Sequence, residues 1–214
     1  MPYGIDVSAN QGAIDWPAVK AAGITFAVAR CVTEPGTIDP TYLRNVRLAR
    51  AAGIIPGAYA FLTGGMAAVQ ATAFIRAVGN PAGMIVMVDV ERPTFHETPT
   101  AADLRTFVAA WRKAHPAHPI LIYGSRGSTL GRLGLPSELG PLWLAAYPSA
   151  AHGAPAELYA EAGGTKATAW STAFGGWKRP TIWQFTSTGR VPGIHGAVDV
   201  DVIRAASLPA LTPG

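Results

Sequence analysis

Short apolar runs alternate with segments of helical periodicity along most of the chain. Tyr3–Ser8 reads as a strand, and Asp15–Ala22 as a short helix with Pro17 in its first turn, where a missing N–H is tolerated. Ile24–Cys31 is rich in β-favouring residues and predicts a second strand. Over Pro40–Ala52, residues Tyr42, Leu43, Val46, Leu48 and Ala49 mark an apolar stripe at helical spacing, which Gly53 ends. Ile54–Phe61 predicts a third strand, Met66–Val78 a helix and Met84–Val90 a fourth strand. Thr100–Ala114 follows as a helix entered from Pro99, with Phe107, Val108 and Trp111 on its apolar face. Ile120–Tyr123 is a further strand, with a short helix near Ser128 behind it.

Beyond residue 140 the rhythm changes. Leu142–Ala146, Thr181–Phe185 and Ala197–Val202 read as strands without long helices between them, and the Ala/Gly-rich stretch Ser149–Gly176 as a long loop. Eight strands and about five helices in repeating β–α order predict an α/β fold, a parallel sheet or barrel. Residues 1–206 are expected to form one domain, with 207–214 (SLPALTPG) a tail or the start of a linker.

The 214 residues suffice for one domain with a substantial core. Charged residues make up 14% of the chain, against roughly 25% in an average soluble domain. With one cysteine, 24 glycines and 18 prolines, a coiled coil, an acidic disordered chain and a disulfide-stapled miniprotein are all excluded. Cys31 ends the apolar run ITFAVARC and is expected to be a small buried side chain.

The formal net charge of +4 suits an anionic polymer or surface. The basic residues are scattered singly with no nucleic-acid motif, so no nucleic-acid partner is expected. No apolar stretch approaches the roughly 20 residues of a membrane span. Met1-Pro2-Tyr3 passes straight into a strand, so no secretory signal is visible. The five histidines form no zinc-binding spacing, GSRGSTLG is not a phosphate loop, and Ser125 and Ser128 have no triad context. No metal or other cofactor is expected.

Against this apolar background the 13 acids stand out, because five of them lie inside strand-like runs. These are Asp6 in YGIDVS, Asp89 and Glu91 in MIVMVDVERP, and Asp199 and Asp201 in GAVDVDVI. Strand side chains alternate faces, so Asp89 and Glu91 share a face at a Cα spacing of roughly 6.5–7 Å, with Val88 and Val90 opposite. Burying an unpaired carboxylate is costly, so each needs a hydrogen bond, a cation such as Arg30 or Arg92, or a raised pKa. A raised pKa is what a general acid requires near neutral pH. Inward carboxylates near strand ends of a barrel lie where active sites form, and carboxylates in different environments can divide the roles of glycosidic cleavage.

The opening GIDVSANQGAIDWPAVKAAGITFAVAR resembles that of glycoside hydrolase family 25, the Chalaropsis-type lysozymes. TEPG, GIIPGAYAF, VDVE, WLAAY, WQFTSTGRVPGI and AVDVDVI follow in that family's order and spacing, so the likeness spans residues 3–203. It implies an irregular TIM-like barrel and hydrolysis of the β-1,4 bond between N-acetylmuramic acid and N-acetylglucosamine in peptidoglycan. By motif position Glu91 matches the catalytic acid/base, and Asp6, Asp89 and Asp199 match the other active-site acids. The likeness also implies retention through the substrate's own 2-acetamido group, oriented by Asp89 or Asp199, with direct attack by an Asp the other route.

Tyr59, Phe61, Tyr123, Trp143, Tyr147 and Gln184 are implied to line the groove, where flat rings stack on sugar faces. Core packing is the competing reading for Phe61 and Trp183. Glu34 matches an acid in the loop after strand two, either structural or facing substrate. One departure is Ala60, where many members carry a polar residue or His. A monomer acting at the bacterial cell wall is expected, as a phage endolysin, part of a larger protein or a trimmed secreted protein. The alternatives are a non-catalytic barrel that binds wall glycan, and a chitinase-type glycosidase, whose DGxDxDxE signature MIVMVDVE lacks.

Overall fold

A computed structural model describes residues 1–34, 36–134 and 137–214. Eight strands close into one barrel in sequence order: β1 (Tyr3–Val7), β2 (Ile24–Val32), β3 (Ile55–Phe61), β4 (Ile85–Asp89), β5 (Leu121–Gly124), β6 (Leu142–Ala145), β7 (Ile182–Gly189) and β8 (Val198–Ile203). Neighbours from β1 to β7 are parallel. The last strand, β8, runs antiparallel to both β7 and β1 and closes the ring. This is the expected α/β barrel, and the reversed β8 is its irregularity.

Strand alternation divides the apolar residues into two layers. Inside the barrel, Phe26 and Val28 of β2, Ile85 and Met87 of β4, and Trp143 of β6 pack on one another. The intervening residues, such as Ala27, Ala29, Val86 and Val88, face an outer shell of helices. Ala60 belongs to this outer layer, so its apolar side chain removes no polar contact from the interior. Cys31 is also buried there, and burial pushes its thiol up to about 12.

The long helices are α2 (Tyr42–Ala51), α3 (Ala67–Val78) and α4 (Ala101–Ala114), with the shorter α1 (Trp16–Ala21) and α5 (Thr129–Arg132). Thr100 caps α4 by accepting from the Asp103 N–H, while Asp103 accepts from the Thr100 N–H at 2.9 Å. Leu104, Phe107, Val108 and Trp111 form the buried face of α4. In α2 the expected stripe is only partly realised. Tyr42, Asn45 and Ala49 are buried, whereas Leu43 is 68% exposed.

One segment departs from the sequence reading. Ser149–Gly176 is not a long loop, since it contains α6 (Pro155–Glu161) and two single-turn helices. Its Tyr159 and Trp170 pack on Trp183, which is fully buried in the outer layer. Only Leu158 and Tyr159 give α6 an apolar face, too short a stripe to register as helical period. Residues 207–214 pack back onto the barrel. They include α7 (Leu208–Leu211), whose Leu211 is buried against the barrel interior, and Pro213 accepts from the Gly83 N–H at 2.9 Å.

Candidate active site

The C-terminal ends of the parallel strands surround a polar pocket of about 320 Å³. Asp6 reaches it from β1 and Asp89 from the last residue of β4. Glu91 lies two residues beyond β4, and Asp199 enters from β8. The reversal of β8 brings Asp199 there, because the start of an antiparallel strand lies beside the ends of its neighbours. In the β1–β8 register Asp6 stands directly opposite Asp199. All four acids expected at the site therefore converge in one pocket.

Tyr59, Phe61, Tyr123 and Tyr147 line the same pocket, so Phe61 is a wall residue and not core filling. Trp143 and Gln184 do not line it. Trp143 is fully buried beneath and donates through Nε1 to Asp201 Oδ1 at 2.9 Å. Gln184 sits under the floor as a junction: its Nε2 donates to Asp6 Oδ2, and its Oε1 accepts from the hydroxyls of Tyr123 and Tyr147. A side chain with both donor and acceptor ends can satisfy a carboxylate and two hydroxyls at once.

Sequence reasoning missed Val7, Ser8, Asn10, Gln11 and Met87 in the pocket lining and named Arg30 only as a possible counter-charge. Asn10 and Gln11 stood in the SANQG motif directly after β1, a signal that was available. Gln11 accepts from the Ser8 N–H at 2.8 Å and fixes this loop at the rim. Asp201, one of the five acids in apolar runs, lies fully buried under the site, with its Oδ2 unpartnered.

The pocket has few cations to balance its acids. Arg30 lines it, but its Nε is engaged by Asp39 Oδ2 at 2.9 Å. Burial works against ionised Asp39, yet hydrogen bonds from Thr41, the Ala9 N–H and Arg30 hold it below the usual carboxylate range. Arg92 is exposed on the surface. The site carboxyls respond in the opposite direction. Burial, then Asp199 and Asp201, push Asp6 well up despite its Gln184 bond. Burial, then Glu91 and Asp199, push Asp89 well up, with Arg30 opposing. Asp199 is raised to about 6 by burial and then by Glu91, and Glu91 itself is raised by burial. All four carboxyls are thus shifted toward the protonated form, the direction that a general acid requires.

Glu34 is structural. Its Oε2 accepts from the Thr94 N–H at 3.1 Å and the Phe95 N–H at 3.4 Å, anchoring the loop that leads away from Glu91. Among the described residues no three His, Cys, Asp or Glu side chains are arranged to hold a metal ion. No described helix is long and apolar enough to cross a membrane.

A barrel with a carboxylate-lined, tyrosine-walled pocket at its strand ends offers the side chains that glycosidic cleavage requires. The comparison with known proteins agrees: the model of the family Glycosyl hydrolases family 25 matches residues 5–194, and the chain belongs to that family. It is 28% identical over 211 residues to the uncharacterised YegX of Escherichia coli O157:H7, covering 94% of this chain and 68% of that protein. It is 28% identical over 217 residues to Lysozyme M1 of Streptomyces globisporus, covering 92% of this chain and 65% of that protein. Among solved structures, the bacterial lysozyme of Streptomyces coelicolor superposes with a TM-score of 0.77 at 26% identity, over 99% of this chain and 96% of that one. The chain is thus a glycoside hydrolase of the lysozyme type.

Proposed function

We propose that this chain is an N-acetylmuramidase, cleaving the β-1,4 bond between N-acetylmuramic acid and N-acetylglucosamine in bacterial peptidoglycan. The observation that carries the reading is the meeting of Asp6, Asp89, Glu91 and Asp199 in one pocket whose arginine is already engaged by Asp39. Membership of a family that includes lysozymes supports the substrate. The proposal extends to a monomer acting at the bacterial cell wall.

In the reaction proposed here, protonated Glu91 delivers its proton to the departing glycosidic oxygen. The carbonyl oxygen of the substrate's 2-acetamido group attacks the anomeric carbon and forms a cyclic oxazolinium. Asp89 suits the task of orienting that group and stabilising its charge, since its Oδ1 is buried and has no hydrogen-bond partner within the protein. Water then opens the ring while ionised Glu91 takes its proton, so the product keeps the original anomeric configuration. Tyr59, Phe61, Tyr123 and Tyr147 offer rings and hydroxyls to the sugars, while Gln184 and Trp143 act from below by fixing Asp6 and Asp201.

Digestion of purified bacterial walls tests the reading. New reducing ends at muramic acid, formed first as the β-anomer and absent with Glu91→Gln, are the expected result. Release of free amino groups instead would make the protein an amidase or peptidase. Residual lysis unchanged by Glu91→Gln would make it a glycan-binding barrel, and equal turnover of chitin oligosaccharides would point to chitinase-type specificity.

A further inference from the structure

The outer wall carries an apolar groove of about 870 Å³ between α2 and α3, away from the catalytic pocket. Ile38, Leu43 and Val69 line it and are 42%, 68% and 62% exposed. They are half of the six large hydrophobic residues exposed among those described, so apolar exposure is concentrated on this face. A soluble surface with no partner here has no reason to gather them.

Unbalanced positive charge lies along the same two helices. Residues 40–88 contain Arg44, Arg47, Arg50 and Arg76 and no Lys, Asp or Glu. These four arginines equal the whole formal net charge of +4, and the rest of the chain is balanced. On α2, Leu43, Arg47 and Arg50 fall at i, i+4 and i+7 and share one exposed helix face. On α3, Val69 and Arg76 are likewise seven residues apart, and both line the groove. Among the described residues the one ion pair is Arg30–Asp39, so Arg47, Arg50 and Arg76 have no carboxylate against them. Two parallel helices thus present the same order, apolar residue first and arginine two turns later.

We infer that the α2–α3 face docks onto a membrane surface of anionic lipid. The occupant follows from complementarity: Leu43, Val69 and Ile38 suit the acyl boundary, and the unpaired arginines suit phosphate headgroups. A soluble polyanion would use the arginines and leave the apolar groove wet. A second copy of this chain would bring its own arginines against these. The two helices pack on the flank of the barrel, so docking there leaves the mouth of the catalytic pocket open.

Co-sedimentation of the full chain with phospholipid vesicles tests this. The protein is expected to pellet with equimolar phosphatidylglycerol–phosphatidylcholine vesicles, to stay soluble with phosphatidylcholine alone, and to be released by salt. The double variant Arg47→Glu/Arg50→Glu is expected to lower the bound fraction by about tenfold or more. Leu43→Gln/Val69→Gln is expected to lower it several-fold at unchanged charge. Both pairs are exposed, and an unaltered circular-dichroism melt and unaltered hydrolysis of soluble glycan fragments verify folding. The inference is overturned by absence of wild-type binding, by equal binding to neutral vesicles, or by vesicle binding indifferent to the Leu43/Val69 pair. A dimer in light scattering that dissolves in the Leu43/Val69 variant would also overturn it, by assigning the groove to a second copy.

Discussion

Asp6 and Asp199 face each other across the antiparallel β1–β8 ladder, which holds their Cα atoms at about 4.5–5.5 Å with side chains on one face. Burial raises the affinity of Asp6 for protons, and Asp199 opposite it adds to the effect. The pairing therefore links the chemistry of the pocket to the stability of the barrel.

Asp199, raised by burial and then by Glu91, shows how the site carboxyls couple pH to stability. Its carboxyl is raised to about 6, above its value in the unfolded chain, so the folded state binds the proton more tightly. Its stabilising contribution is complete below pH 4 and is lost as pH rises through 6. The loss is on the order of 3 kcal/mol. Asp199→Asn is expected to melt several degrees above wild type at pH 7 and close to it at pH 4, while losing activity. Scanning calorimetry at both pH values checks this; identical melts at pH 7 would refute it.

Glu91 must be protonated to act as an acid, and burial raises its carboxyl. The rate is expected to decline on the alkaline side of that raised value, and Glu91→Gln to cost about 10²–10⁴ in kcat while the melt stays near wild type. A full pH–rate profile with soluble glycan decides it. An alkaline limb that survives in a residually active Glu91→Gln would remove Glu91 from the role.

Gln184 joins Asp6 to Tyr123 and Tyr147. Replacing it with Leu leaves a buried carboxyl and two hydroxyls short of partners, at a cost of about 1–3 kcal/mol. Urea unfolding should show the lower midpoint. A variant as stable as wild type would mean the junction is not needed to hold the floor.

Glu34 accepts from the Thr94 and Phe95 N–H groups and so steadies the segment after Glu91. Glu34→Ala is expected to lower kcat about tenfold or more with little change in KM, because small displacements of the acid are costly. Glu34→Gln, which retains an accepting oxygen, should recover most of the rate. Equal loss in both variants would make the charge of Glu34, and not its hydrogen bonds, the important property.

Leu211 fills the barrel from the end opposite the pocket. Leu211→Ala should destabilise the protein by about 2–5 kcal/mol. An unchanged melt would mean that the Leu211 contact is not needed for stability.

Much of this protein was legible one residue at a time. Alternation in MIVMVDVE told the pocket-facing Asp89 and Glu91 from the outward Val88 and Val90, because successive strand residues face opposite sides. Rare acids in apolar runs marked the pocket, because an ionised group enters such a run only where something compensates for its burial. What depended on distant pairing was not legible. The direction of β8 carries Asp199 to the rim, but strand direction leaves no trace in a six-residue pattern. Leu43 fitted a core stripe by spacing, yet it lies exposed because Asn45 and Ala49, not Leu43, meet the barrel. Trp143 and Gln184 read as groove residues but lie beneath it, since depth along a barrel axis is set by the stagger of all eight strands. Sequence determined which faces are apolar and which rare acids lie inside apolar runs. Only the closed tertiary structure decided which of them meet, because that depends on contacts between segments as far apart as Asp6 and Gln184.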